Sequence, residues 1–214
     1  MEQLLKRSGS PAGTELLGEV HPLLQQLGCC DGLVTVADVW EFAAGEEVCD
    51  SESLRRFLDG YQQQILLPYE LPAIFRSARH AQRNQLRELL ALDAEIGRWE
   101  VPSQFVTASR RVGQGNLQRL RPLRDQRLVK RYLQAVDRKQ AHGWHTIVYG
   151  ITLAIYSLPV RQGLIGYARQ TLDGFVRAMA RPLRLTAQDC RQLLEELSCA
   201  VPPRVENVIR SQHS

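Results

Sequence analysis

The sequence predicts an all-α fold, a single-domain helical bundle, and three observations carry that prediction. Apolar residues recur at helical spacing through nearly every segment, and no stretch alternates apolar and polar residues as a half-buried strand does. Prolines and glycines fall mostly between those periodic segments, where they punctuate helices. The run at residues 143–159, GWHTIVYGITLAIYSLP, contains no Asp, Glu, Lys or Arg. As a helix it places Ile147, Ile151, Ala154 and Leu158 on one stripe and His145, Tyr149, Thr152 and Tyr156 on another. Such a helix needs neighbours on most sides. It is too short for a membrane span, which takes about 20 largely apolar residues. It is therefore expected at about 143–158 as the central helix of roughly ten.

Taken in order, residues 1–13 read as a flexible leader, polar and containing Gly and Ser, with no apolar signal-peptide core. A helix is expected over 15–27, interrupted or restarted at Pro22, and another over 33–44, where β-branched content leaves a strand as the other reading. Asp50 or Ser51 caps a helix that gathers Leu54, Phe57, Leu58, Tyr61 and Ile65 on one face, and Pro68 ends it. Residues 69–81 form the next helix, with Pro72 in its first turn. Asn84 caps a leucine-rich helix through Ile96. A helix over 104–120 contains Gly113 and Gly115, which suggest a close backbone approach or a local break. Pro122 starts a helix running to about 138, and Pro159 starts a long one that Pro182 stops. Thr186 to Asp189 reads as a capping box for a last helix, closed by Pro202 and Pro203. The expected organisation is a leader to 13, an all-α domain over 14–200, and a tail over 201–214 that only a partner orders.

Charge divides the chain. Residues 1–100 hold 9 Lys/Arg against 16 Asp/Glu, whereas residues 101–184 hold 15 against 3. Arg119, Arg121, Arg124, Arg127, Lys130 and Arg131 form a basic patch with only Asp125 opposing them. A solvated helix face and a nucleic-acid contact are both readings of it; Tyr132 is the only close aromatic for stacking on bases. The acidic N-terminal part carries no basic recognition helix of the helix-turn-helix kind.

The sequence names no catalytic residue, metal ligand set or cofactor. No GxxxxGK[ST] loop is present, and Gly113-Gln114-Gly115 is only GxG within a helical pattern. His142 and His145 form HxxH without a nearby carboxylate or thiol in sequence, so His145 reads as a hydrogen-bonded helix residue. The five cysteines, Cys29, Cys30, Cys49, Cys190 and Cys199, are odd in number and lack CxxC spacing, as expected of reduced thiols in a cytoplasmic protein.

Several of these residues carry a family resemblance. His145 opening the central helix, Leu158-Pro159, Tyr167 early in the next helix and Arg181 after it form the longest likeness. Ala108-Ser109 followed by Gly113 and Leu117, and Tyr69-Glu70-Leu71-Pro72, complete it. Over most of residues 20–200 the chain resembles the UreF family of urease accessory proteins, as a divergent member. Residues 32–41, GLVTVADVWE, stand where the family has a Pro-Val-Gly-Gly-Phe-Ser type segment; Val106-Thr107 replaces its Arg-Glu, and Thr186-Ala187 its Gly-Gln. The resemblance implies a non-catalytic, all-α assembly factor that tends to dimerise. Such a factor bridges a UreD/UreH-type scaffold and the GTPase UreG during nickel delivery to urease apoprotein, with nickel and nucleotide held by the partners. Ser109, Arg110, Gly113 and Arg181 are then expected on a partner-binding face, with Arg204 in the tail as a second contact.

Overall fold

The computed structural model describes residues 43–120 and 126–212, and among them it shows helices and no strand. The helices are α1 (Ser51–Tyr61), a π-helical stretch (Gln62–Glu70), α2 (Leu71–Gln82), α3 (Leu86–Ile96) and α4 (Ser103–Arg119). They continue as α5 (Arg127–Asp137), α6 (His145–Ile155), α7 (Val160–Ala180), α8 (Ala187–Cys199) and α9 (Val201–Ser211). The expected all-α fold is observed. The expected leader, the helix over 15–27, nearly all of the element over 33–44, Cys29, Cys30, Asp125 and the start at Pro122 lie outside the described residues.

The caps that open α1 and α8 are those that the sequence spells out. Asp50 accepts the Ser53 amide at 2.8 Å, and Thr186 accepts the Asp189 amide at 3.1 Å. Asn84, however, does not cap α3. It takes the left-handed conformation at φ 54°, and Gln85 occupies the N-cap position without a side-chain bond.

Two other boundaries differ from expectation, both at prolines. Pro68 does not end the helix begun at Ser51, because it sits within the π-helical stretch. In an α-helix its ring would clash with the carbonyl four residues back and it would leave that carbonyl without a donor. In a π-helix the partner lies five residues back, as when the Leu71 amide donates to the Leu66 carbonyl, and the wider turn gives the ring room. Helical backbone therefore runs unbroken from α1 into α2. Pro202 and Pro203 do not close the ordered chain either. They lie in the first turn of α9, where an amide N–H has no helical partner to lose. The expectation of a tail ordered only by a partner is thus corrected for residues 201–211. Val201, Val205 and Val208 are buried, Arg161 pairs with Glu206, and Arg204 Nη1 donates to Gln62 Oε1 at 2.7 Å.

The core has two lobes. One gathers α1, the π-helical stretch, α7, α8 and α9 around Phe57, Tyr61, Leu172 and Phe175. The other joins α3, α5 and one face of α6 around Leu89, Tyr132, Trp144 and Ile147. Helices α2, α4 and α6 contribute to both, and His145 through Leu153 are all buried, which places the apolar run at the centre as expected. Gly150 is the reason α2 and α6 approach so closely: a Cβ there would stand 2.7 Å from the Ile74 carbonyl oxygen and 2.8 Å from the Ala78 nitrogen. Ser77 Oγ donates to the Ile147 carbonyl at 2.7 Å across the same contact.

Candidate functional site

The turn that enters α6 is held from three sides. Asp93 of α3, buried, accepts from the backbone amide of His142 at 2.7 Å and from that of Gly143 at 3.1 Å. It also accepts from Tyr132 Oη at 2.7 Å and lies 2.8 Å from His142 Nδ1, while its backbone carbonyl accepts Trp144 Nε1 at 2.8 Å. A buried carboxylate with this many donors is satisfied rather than stranded. Burial first, and then the adjoining Asp93 carboxylate, push the Tyr132 phenol well above its usual range. Gly143 adopts φ 74°, a left-handed conformation that a side chain would strain. Gly113 of α4 packs directly on this turn, since a Cβ there would overlap the Gly143 carbonyl oxygen and stand 2.5 Å from the His145 nitrogen. Of the two readings of the glycine pair, Gly113 is therefore a close approach; at Gly115 a Cβ would meet nothing.

His145 leads from this turn into a second buried network, which joins four further segments. Its Nδ1 lies 2.7 Å from Ser109 Oγ of α4, and its Nε2 lies 2.6 Å from Tyr167 Oη of α7 and 3.1 Å from Glu70 Oε1. Glu70 also accepts from Tyr167 Oη at 2.6 Å and from Tyr61 Oη of α1 at 3.1 Å. One assignment satisfies every member: Ser109 donates to Nδ1, Nε2–H donates toward Tyr167 and Glu70, and both phenols donate to Glu70. The two histidines thus do have carboxylate partners, Asp93 for His142 and Glu70 for His145, brought from 49 and 75 residues away. No motif spacing encodes that.

Ser109, His145 and Glu70 stand in the order of a nucleophile, base and acid, but all three are buried. The two described grooves, of about 460 and 440 Å³, are lined by other residues. The arrangement ties five segments together, and neither groove reaches the Ser109 hydroxyl. Among the described residues no group of three or more His, Cys, Asp and Glu converges as a metal site.

The residues expected on a partner face are not brought together as one. Ser109 and Gly113 are buried, so they set the position of α4 from behind and offer a partner no surface. Arg110, half-buried, lies over the Trp144 ring at 4.7 Å. Arg181 is exposed at the C-cap of α7, which favours a cation, and lies about 21 Å along that helix from Tyr167. Arg204 is half-buried against Gln62, where the second groove runs between α1, α8 and α9. Of the basic patch, Arg119, Arg127, Lys130 and Arg131 are exposed; Arg121 and Arg124 lie outside the described residues. Tyr132, the one aromatic expected to help that patch bind bases, is buried on Asp93 instead.

Four residues of the second network, Glu70, Ser109, His145 and Tyr167, are among those that carry the family likeness in the sequence. Tyr61, and in the first network Asp93 and Trp144, carry no signal of this role in the sequence; only their burial and bonds in the fold distinguish them. No curated protein matches the chain. The sequence model of the UreF family matches residues 48–198, which takes in both networks and all but the last of the helices, and the chain belongs to the UreF family.

Proposed function

We propose that the protein is a non-catalytic assembly factor that bridges a UreD/UreH-type scaffold and the GTPase UreG while nickel is inserted into urease apoprotein. The observation that carries this is the UreF family match over residues 48–198, for the family is a urease accessory one. The buried state of Ser109, His145 and Glu70 supports a role in holding shape rather than in chemistry. Nickel is cargo in this reading, and nickel and nucleotide reside on the partners. The protein works in the cytoplasm, as a homodimer, and no described helix is long and apolar enough to cross a membrane. Arg110 and Arg181 remain the proposed partner contacts on the α4 and α7 sides, with Arg204 on the α9 side. Ser109 and Gly113 act through the position of α4.

The test is a pull-down of the purified full chain against the scaffold and the GTPase. Stable association with the scaffold, and recruitment of the GTPase to that pair, is the expected outcome. Arg181→Glu is expected to weaken capture while lowering the thermal midpoint by only the few degrees that reversing a charge at the α7 C-cap costs. Absence of association with both proteins would end the bridging reading.

A further inference from the structure

Helix α5 buries Leu128, Val129, Tyr132, Leu133 and Ala135 and turns outward a mainly cationic side, on which Asp137 at the helix end is the one acid. Arg127, Lys130 and Arg131 on that helix, and Arg138 just past it, are all exposed, and among the described residues none of the four is in an ion pair. Lys130 and Arg131 lie three and four positions after Arg127, so like charges are direct neighbours. Arg127 and Lys130 also occupy the first turn, where free amide N–H groups already present positive potential. Both arrangements disfavour the helix as it stands. An acid placed in that turn would relieve both.

We infer that the outer face of α5 docks an acidic protein surface. From Arg127 to Arg138 the cations extend about 16 Å along the axis, a row suited to several carboxylates rather than to one small ion. The N-terminal end of the row adjoins a groove of about 460 Å³ bordered by Arg127, Gln82, Asn84, Leu128 and Ile155, which offers the partner an anchoring point. A protein fits this face better than a nucleic acid does. The helix's one aromatic ring is turned inward onto Asp93, so the cationic helix itself offers no ring to a base.

The test compares the full chain with the variant carrying Arg127→Glu, Lys130→Glu and Arg131→Glu. The probes are a labelled poly-L-glutamate of about 20 residues and a labelled DNA duplex of about 20 base pairs, read by fluorescence anisotropy at low and moderate salt. The expected result is poly-glutamate binding that weakens with salt and falls at least about tenfold in the variant, with a thermal midpoint no lower than that of the parent chain. Equal poly-glutamate binding by both chains, or none by the parent, overturns the inference. So does tighter binding of the duplex, which would assign the face to nucleic acid. A variant that melts several degrees lower would show that the chain's own acidic groups cover α5, and overturns it as well. These readouts use neither the scaffold nor the GTPase, so the inference and the bridging role fail separately.

Discussion

A single missing methyl group sets how close α4 comes to the turn before α6. At Gly113 the added Cβ of alanine would meet backbone atoms of Gly143 and His145, which cannot rotate away. Gly113→Ala is therefore expected to destabilise the protein by about 3 kcal/mol or more. Gly115→Ala, two residues on, meets open space and is expected to stabilise by about 0.5–1 kcal/mol through helix propensity. Urea midpoints of the two variants check the pair, and equal effects would refute the close approach. Tyr132 supplies a second prediction. Its folded-state pKa is raised above the ordinary value of 10.0, so the protonated phenol's stabilisation is complete below pH 10 and is lost as pH rises through the folded value. Tyr132→Phe is expected to cost about 1–3 kcal/mol at neutral pH, from the lost bond to Asp93. Because the variant lacks this titration, the gap between it and the parent should narrow above pH 10 in urea titrations.

At the scale of the element, the π-helical stretch decides where Glu70 points. Tyr61 and Glu70 are nine residues apart, which at 3.6 residues per turn is two and a half turns and opposite faces. Wider i→i+5 turns reduce this to about two turns and bring both side chains to one side, where they bond. Glu70→Ala leaves two phenols and an imidazole without their shared acceptor and is expected to cost about 3–5 kcal/mol in equilibrium unfolding. A loss below about 1 kcal/mol would mean that the π register contributes little. The element scale is also where sequence reading succeeds or stops. Helices α4, α6, α7 and α8 were legible because apolar spacing and the Thr186–Asp189 cap are local signals. Pro68 misled because a proline rule written for α-helices does not describe a π turn. Pro202 and Pro203 misled because the same residues that stop one helix are well suited to begin the next.

For the whole molecule, two lobes share α2, α4 and α6, so the central helix belongs to both cores and cannot be removed from either. Its position was legible from the absence of charge in residues 143–159. The networks that hang on it were not, since a buried carboxylate looks like any surface one until the fold supplies its donors. The residues of the second network appeared in the sequence only as isolated points of family likeness. What united them was distance: Ser109 to His145 spans 36 residues, His145 to Glu70 spans 75, and Tyr167 to Glu70 spans 97. Those separations also govern the order of assembly. Individual helices form on the microsecond scale, but closing loops of this length is the slow part of folding for any chain. The central network is therefore expected to complete late, once five segments have met, which amide-exchange pulse labelling during refolding would check. Until those segments meet, a carboxylate, an imidazole and two phenols stay hydrated, and closing the network requires that their water leave.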